Sequence, residues 1–383
     1  MLADRAVLTP RQRRGPFEAE ELSSLPDSHW TLLVNGVDRA VPHVADALLP
    51  LFSFLPRWRI DDVQVSFAPQ YGSVGAHCDQ YDVFLLQADG RKEWAISQDA
   101  RYGPLETDAY LPGLNVAVLR DFVAQARFEL APGDMLYLPP AVAHHGIALE
   151  PGFTYSVGFL APTHREMLLS WASARADADP RATQRWTDPW LTPAARPGLL
   201  TAAAVDAAAA IINSRAPTRE DIAAWFGCHV TTPRDGYLDA MPLEERPEWA
   251  WVVAQAEQAG ELCRHESSRF AFLPAEAVRP GKQTAGTLFA DGRSFAVAGD
   301  VARAVAEEVA DRRTLSWSSL VALGVPAGDA RNAAQAEVAA LLQTLLEGGL
   351  LFIPSDDDSA DEGEEGDASE RVEEWDLEDE SNP

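Results

Sequence analysis

The sequence is poor in cysteine. Its three cysteines, Cys78, Cys228 and Cys263, lie far apart in a chain of 383 residues, and none forms a Cys-x-x-Cys pair. This spacing excludes a disulfide framework and a cysteine-based zinc knuckle. Free thiols predict a reducing compartment, so we expect a cytoplasmic protein, with an organelle or the nucleus left open.

The sequence also lacks a long apolar run. No stretch approaches the roughly 20 residues that cross a bilayer, and residues 1–16 have no secretory hydrophobic core. We therefore expect no membrane partner. With 46% hydrophobic residues and eleven Trp, the chain still has enough apolar side chains for two or three folded domains.

Basic residues are scarce beside acidic ones. The formal net charge is -28, and the segment 355–383 holds fifteen Asp or Glu against Arg371 alone, which makes -14. A like-charge block buries too little apolar surface to offset the entropy of the chain. We therefore predict a disordered acidic tail over 355–383.

Hydrophobic periodicity divides the rest of the chain. Strand-like alternation, with turn signals such as ADGRK and APGD, covers about 60–160 and predicts an antiparallel jelly roll. Ala-rich helical segments follow, and then a strand, three helices and a terminal strand in the order of a winged helix. The predicted fold class is α+β.

We divide the chain into four parts before the acidic tail. They are an N-terminal segment at 1–28, a jelly roll at 29–162, a helical connector at 163–262 suited to an oligomer interface, and a winged-helix-like domain at 263–354.

The C-terminal module lacks the charge that nucleic-acid binding requires. Residues 264–354 contain nine Lys or Arg and ten Asp or Glu, a balance of -1. A phosphate-binding helix should carry a basic face, and the third helix of this module does not. We therefore expect no direct nucleic-acid partner and favour a packing or protein-contact role.

The segment AHCDQYDVF at 76–84 places His77 and Asp79 two positions apart at the start of an apolar run. In an extended chain, residues two apart face the same way, so the imidazole and the carboxylate lie side by side. The pair is either a metal-binding pair or two hydrogen-bonded polar residues at a strand end. Two histidines and one carboxylate form the triad of non-heme Fe(II) oxygenases, so a metal site requires a third ligand downstream.

Two histidines are candidates for that ligand. His144 and His145 follow the apolar strand DMLYLPP, and 67 residues separate His77 from His144, which is room for several strands. A jelly roll is able to bring such a strand end back to the first pair. The sequence alone leaves the choice between the two histidines open.

A basic residue lies between these segments. Fe(II) held in this way suits a bidentate 2-oxo acid, whose far carboxylate needs a cation on the barrel wall. Lys92 and Arg91 are both candidates, but only one of two neighbours in a strand points inward. Thr154 and Ser156 alternate with apolar residues in the last strand, and we expect them to share the binding of that carboxylate.

The segments PRWRIDDVQVSF, HCDQYDVFLLQADGRKEW and GDMLYLPPAVAHHGIALE together resemble the JmjC-type ribosomal oxygenases of the cupin superfamily. The resemblance covers about 15–354, because this family follows its jelly roll with a helical dimerisation region and a winged-helix domain. It implies a homodimeric 2-oxoglutarate-dependent dioxygenase that uses Fe(II) and O2 to hydroxylate a ribosomal protein. The target is arginine in bacterial members and histidine in eukaryotic relatives.

Carried over by position, the resemblance implies that His77, Asp79 and His144 are the iron ligands and that Lys92 meets the 2-oxoglutarate carboxylate. His145 stands where many bacterial relatives have a glutamate, and we expect it to lie behind the ligands or to face the substrate. We expect an arginine target. The alternatives are a histidyl hydroxylase or demethylase of the same superfamily, or a non-catalytic ribosome- or chromatin-associated cupin scaffold.

Overall fold

A computed structural model describes residues 12–102, 109–112, 114, 117–187, 200–213, 217–233, 240–279 and 285–354. The acidic tail predicted at 355–383 lies outside the described residues, as do the first 11 residues of the predicted N-terminal segment.

Helices occur mainly before and after a central group of strands. The α-helices are α1 Ala19–Ser23, α2 Val37–Ala40, α3 Pro42–Leu48, α4 His164–Asp177, α5 Ala202–Ile212, α6 Arg219–Thr231, α7 Trp249–Ala259, α8 Asp300–Asp311, α9 Trp317–Leu323 and α10 Ala333–Glu347. The strands are β1 Leu32–Val34, β2 Ile60–Ala68, β3 His77–Cys78, β4 Asp82–Gln87, β5 Lys92–Ser97, β6 Ala126–Leu130, β7 Met135–Leu138, β8 Ala143–Ala148, β9 Gly152–Phe159, β10 Glu261–Arg264, β11 Phe270–Pro274, β12 Ala285–Ala290, β13 Arg293–Ala298, β14 Thr314–Ser316 and β15 Leu351–Phe352.

The first nine strands form two facing antiparallel sheets. The larger sheet has the order β1-β2-β9-β4-β7, and the smaller has the order β3-β8-β5-β6. Inward-pointing side chains of both sheets meet in one cluster that includes Leu85 and Leu138 from the larger sheet and Trp94 and Leu130 from the smaller. Alternation along each strand sends every second side chain into this interior. The predicted jelly roll is therefore confirmed.

A second core lies in the C-terminal unit. Buried side chains of α7, α8, α9 and α10 pack with those of two three-stranded sheets, β14-β10-β15 and β11-β12-β13. The helices and terminal strand predicted for a winged helix are present, and the strands β12 and β13 were not predicted.

The domain boundary predicted at 262–263 falls inside this C-terminal unit. Val252, Val253 and Ala256 of α7 are buried in the same cluster as Leu262 and Leu315. Helix α7 therefore packs as part of the winged-helix unit, although its sequence reads as a continuation of the helical connector. Burial of the apolar face decides the boundary, and helical periodicity alone does not indicate which neighbour covers that face.

Hydrogen bonds and a ring contact join the start of β2 to the C-terminal unit and to helix α6. The Arg269 guanidinium donates hydrogen bonds to the backbone carbonyls of Trp58 and Ile60, at 2.9 and 3.0 Å. The Trp58 ring also meets Phe226 of α6 edge-on, with centroids 5.5 Å apart. Among the helices that the structure describes, none is long and apolar enough to span a membrane.

Candidate metal centre

Strand pairing brings two distant histidines together. In the antiparallel pair of β3 and β8, His77 and His144 are directly opposite one another. Side chains at opposed positions on one face of such a pair are neighbours. Their imidazole rings have centroids 4.2 Å apart, with an angle of 62° between the ring planes. The 67-residue separation in sequence thus closes to a direct contact.

Asp79 completes a group of three possible ligands. Its carboxylate oxygen lies 3.8 Å from His77 Nε2 and 3.5 Å from His144 Nε2. One ligand atom from each residue falls within 4.8 Å of the others. Metal–ligand bonds of about 2.0–2.2 Å require ligand atoms roughly 3–3.5 Å apart, so small side-chain adjustments suffice to close the site on an ion.

Backbone carbonyls orient both imidazoles for metal binding. His77 Nδ1 contacts the carbonyl of Gly75 at 3.0 Å, and His144 Nδ1 contacts the carbonyl of Val142 at 3.0 Å. A carbonyl only accepts, so each Nδ1 carries the proton and each Nε2 presents a lone pair. Two lone pairs and a carboxylate facing each other repel unless a cation lies between them. This donor set fits a divalent metal ion.

The pKa shifts of His144 and Asp79 also fit a site for a metal cation. Burial, helped by the neighbouring His77, lowers the pKa of His144 to about 3, so its imidazole is neutral at physiological pH. Burial raises the pKa of Asp79, an effect that His77 and a hydrogen bond from Tyr81 partly offset. A metal cation would reverse the cost of burying this carboxylate.

The strand register also separates His144 from His145. Neighbours in β8 point to opposite faces of the sheet, and His144 lies in the interior with Asp79. The His145 ring instead meets Phe122 edge-on, with centroids 6.1 Å apart. Its pKa is lowered by burial. His145 is thus on the outer face of the smaller sheet, away from the three grouped ligand atoms.

Lys92 is the basic residue that points inward. Its side chain is 7% exposed, and its ammonium lies 4.8 Å from the centroid of the Trp94 ring. Arg91 points outward and pairs with Glu129 and Glu150. Burial alone lowers the pKa of Lys92 to about 8, and no carboxylate in the described part of the chain pairs with its ammonium.

The two hydroxyl residues named from the sequence lie on the inward face of β9. Thr154 Oγ1 accepts a hydrogen bond from Lys92 Nζ at 3.3 Å, across the interior between the two sheets. Ser156, two residues further, is half-buried and faces the same way. Thr154 also donates to Gln87 Oε1 at 3.0 Å.

Three side chains near the site were missed from the sequence. They are Gln87, which is 2% exposed, Tyr81, which hydrogen-bonds to Asp79, and Trp94, whose buried Nε1 has no hydrogen-bond partner in the described structure. The available signal was periodicity, since Tyr81 follows His77 and Asp79 at the same spacing and Trp94 follows Lys92. A buried donor without a partner, next to an ammonium that has no carboxylate partner in the described structure, fits an anionic ligand.

Gly146 leaves space for the side chains of Trp94 and Lys92. A Cβ placed there would lie 2.8 Å from the Trp94 ring and 2.9 Å from Lys92 Cε. Trp94 and Gly146 are opposite one another in the pairing of β5 with β8. The absence of a side chain at Gly146 leaves room for the Trp94 indole, whose ring centroid is 5.8 Å from that of His144.

Two family models match the chain. A JmjC domain matches residues 47–167, and a ROXA-like winged helix matches residues 210–352. The second match begins before α7, in agreement with the core that α7 shares with the C-terminal strands.

Curated relatives have names that refer to the ribosome. The chain is 35% identical over 230 residues to a ribosomal protein uL16 3-hydroxylase of Escherichia coli, over 60% of this chain and 59% of that protein. It is 31% identical over 166 residues to a probable ribosomal oxygenase of Haemophilus influenzae, over 43% of this chain and 40% of that protein. The chain thus spans less than two thirds of the length of these relatives.

Solved structures of Escherichia coli YcfD match most of this chain. One matches with a TM-score of 0.69 and 28% identity, over 88% of this chain and 82% of that one. Another, a ribosomal oxygenase in complex with cobalt and 2-oxoglutarate, matches with a TM-score of 0.66 and 29% identity, over 88% and 81% of the two chains.

Proposed function

From the membership of this chain in the JmjC-domain proteins that carry a ROXA-like winged helix, we propose that it is an Fe(II)- and 2-oxoglutarate-dependent hydroxylase of a ribosomal protein. The observation that carries the proposal is the group formed by His77, Asp79 and His144, with the buried ammonium of Lys92 in the same interior.

Each of these residues has a proposed role. His77, Asp79 and His144 hold Fe(II), and Lys92 binds the far carboxylate of 2-oxoglutarate, with Ser156 on the neighbouring inward position of β9. When bound, the metal, 2-oxoglutarate and O2 supply the oxidation of a C–H bond to an alcohol, with succinate and CO2 as the other products. The protein positions the reactants and excludes water.

The chain's own groups prepare this chemistry. The carbonyls of Gly75 and Val142 hold the imidazoles in the tautomer that presents Nε2. Tyr81 donates to Asp79 and so leaves the rest of that carboxylate for the metal. The apolar wall that includes Trp94 keeps bulk water from Lys92, which strengthens the attraction between its ammonium and a carboxylate.

We propose an arginine side chain as the target. Burial raises the pKa of Tyr81, and the nearby carboxylates of Asp79, Asp62 and Asp61 raise it further. Asp62 and Tyr81 both lie next to Gly158, because Asp62 Oδ1 and Tyr81 Cε2 are each 3.8 Å from the position that a Cβ on this glycine would occupy. This negative potential beside the metal site attracts a guanidinium more strongly than a neutral imidazole. A ribosomal substrate also favours the cytoplasm as the location.

The test measures cosubstrate turnover and peptide mass together. The purified full chain is incubated with Fe(II), 2-oxoglutarate and ribosomal protein peptides that contain arginine or histidine. We expect peptide-dependent succinate formation and the gain of one oxygen atom on an arginine. His77→Ala should abolish both, while His43→Ala, at an exposed histidine of α3, should retain both.

The same experiment separates the alternatives. An oxygen gained on histidine would replace the arginine target with the histidyl one, and loss of methyl groups from a methylated peptide would indicate a demethylase. A folded protein that binds neither metal nor 2-oxoglutarate would favour the non-catalytic scaffold.

A homodimer is the second part of the proposal. Helices α4 and α5 expose Leu168, Leu169, Val205, Ile211 and Ile212, which is more apolar surface than helices facing only water usually carry. We expect light scattering to report a dimer and Ile212→Glu to shift it to a monomer. A monomeric wild-type protein at micromolar concentration would contradict this assignment.

We propose that the winged-helix unit contacts protein and not nucleic acid. Helix α10 contains Glu337 and Glu347 but no Lys or Arg over Ala333–Glu347. Titration with duplex DNA at low salt should give no specific complex. Tight binding that weakens steeply as salt rises would contradict the proposal.

A further inference from the structure

We propose that Gln87 is a positioning residue for an anion pocket, by which we mean the interior space at the Lys92 ammonium and the Trp94 indole N–H. Through Thr154, it sets the direction of a hydrogen-bond chain that ends at Lys92, so that the lysine ammonium is held in place while its remaining N–H groups stay available to a ligand. The identity of that ligand as 2-oxoglutarate rests on the proposed function.

The direction of the hydrogen-bond chain follows from the contacts of Gln87. Gln87 contacts the backbone carbonyl of Asp89 at 2.7 Å, and a carbonyl only accepts, so the amide Nε2 must face Asp89. Gln87 Oε1 therefore faces Thr154 as an acceptor, at 3.0 Å from the hydroxyl. The single hydroxyl hydrogen of Thr154 is used in this bond.

Thr154 is thereby left as an acceptor toward Lys92. The contact of 3.3 Å between Lys92 Nζ and Thr154 Oγ1 must be donated by the lysine. This assigns Thr154 a different task from the one expected from sequence. It holds the ammonium and has no hydrogen left to donate to a ligand carboxylate.

The three residues come from both sheets. Gln87 and Thr154 are opposite one another in the pairing of β4 with β9 in the larger sheet, whereas Lys92 belongs to β5 of the smaller. Gln87 and Thr154 are each 2% exposed, so water does not compete for these bonds. A lysine has three N–H groups. One is taken by Thr154, and two remain for an anion in the interior.

The Trp94 ring also limits where the Lys92 ammonium lies. Lys92 Nζ lies over the Trp94 ring, and Gly146 leaves no side chain between them. A flexible lysine side chain loses considerable rotamer entropy when it is held in one position. Because Thr154 holds the Lys92 side chain in its binding position before a ligand binds, ligand binding costs less side-chain entropy.

The experiment measures ligand affinity separately from turnover. Isothermal titration gives the Kd of 2-oxoglutarate for the full chain loaded with Mn(II). Gln87→Met keeps the length of the side chain but removes both hydrogen-bonding groups, and we expect the Kd to rise about fivefold, the effect of one buried hydrogen bond. In turnover assays KM for 2-oxoglutarate should rise while kcat is retained. Gln125→Met, at an exposed glutamine, is the matched control and should leave the Kd unchanged.

A double-variant cycle tests whether Gln87 acts through Thr154. Thr154→Val should raise the Kd, Thr154→Ser should keep it within about twofold of wild type, and Gln87→Met combined with Thr154→Val should be no weaker than Thr154→Val alone. Effects of the two substitutions that multiply would overturn the proposal. So would a Gln87→Met protein with wild-type affinity.

The outcomes are distinct from those that test the function. A wild-type protein that binds Mn(II) but not 2-oxoglutarate contradicts the proposed function itself. Wild-type binding together with an unaltered Gln87→Met affinity contradicts only the positioning role. Thermal unfolding of each variant verifies folding, and the Thr154→Val and Thr154→Ser pair tests the chain without altering Gln87.

Discussion

Replacement of Asp79 by asparagine should have opposite effects with and without metal. In the metal-free protein, the Asp79 carboxylate faces the lone pairs of His77 Nε2 and His144 Nε2, at 3.8 and 3.5 Å. An asparagine keeps one oxygen to accept the hydrogen bond from Tyr81 and offers an N–H to one imidazole. It removes the negative charge that a divalent cation requires.

The magnitudes follow from these contacts. One added buried hydrogen bond contributes about 1 kcal/mol, which corresponds to a rise of roughly 2–4 °C in the unfolding midpoint of a domain of this size. A metal present at about 100 times its Kd stabilises the protein by about 2.7 kcal/mol. The wild-type midpoint should therefore rise by about 5–11 °C with metal, and the Asp79→Asn midpoint should not.

Thermal unfolding in chelator and in excess Mn(II) measures both effects. Asp134→Asn is the matched control, because Asp134 accepts a backbone hydrogen bond at an exposed turn, which asparagine is also able to do. It should keep the full metal-dependent rise. Retention of that rise by Asp79→Asn, or a fall of its metal-free midpoint by several degrees, would contradict the prediction.

Three further predictions concern the interior of the jelly roll. Lys92→Met should stabilise the ligand-free protein by about 2–3 kcal/mol at neutral pH, because burial lowers the pKa of Lys92 from 10.5 to about 8. The destabilisation of the wild type by the buried charge should disappear as pH rises from 8 to 10.5. Urea denaturation checks this gain, and titration should show loss of 2-oxoglutarate binding; unaltered affinity would exclude Lys92 as the anion-binding group. The pKa of His144 is lowered to about 3, so the unfolded chain binds a proton that the folded protein does not between pH 6.5 and 3. As pH falls through this range, the free energy of unfolding of the metal-free wild type should decrease, relative to that of His144→Gln, by up to about 1.4 kcal/mol per pH unit. Denaturation at each pH measures the difference, and parallel pH profiles of the two proteins would contradict the prediction. Gly146→Ala should cost about 1–3 kcal/mol through its contact with Trp94 and weaken 2-oxoglutarate binding, while Gly328→Ala, which meets open space, should be neutral in the same two assays.

The site depends on a jelly roll for a geometric reason. The proposed metal ligands lie on β3, directly after it and on the paired strand β8 of the smaller sheet, while the hydrogen-bond chain that ends at Lys92 starts in the larger sheet. Only two sheets that face each other put both sets of side chains into one interior. The Trp94 ring lies beside both groups, with its centroid 5.8 Å from that of the His144 ring and 4.8 Å from the Lys92 ammonium.

Much of the fold was predictable from local patterns. Alternation in β2, β4 and β9 and turn signals between strands predicted the jelly roll, because the two-residue period of a strand is a property of neighbouring residues. Strand β8 was not predicted as a strand. Its sequence, AHHGIA, has one β-branched residue and one glycine, so only pairing with β3 and β5 on either side stabilises the extended conformation.

Residue types and their spacing establish which groups are available and which neighbours share a face. Spacing placed His77 with Asp79 and separated Lys92 from Arg91, because both are consequences of strand periodicity. The other features of the site depend on how distant segments pack together. The pairing of β3 with β8 selected His144 over His145, the facing of two sheets joined Lys92 to Thr154 and Gln87, and the burial of α7 moved it into the winged-helix unit. Each of these depends on contacts between residues distant in sequence, which local periodicity does not encode.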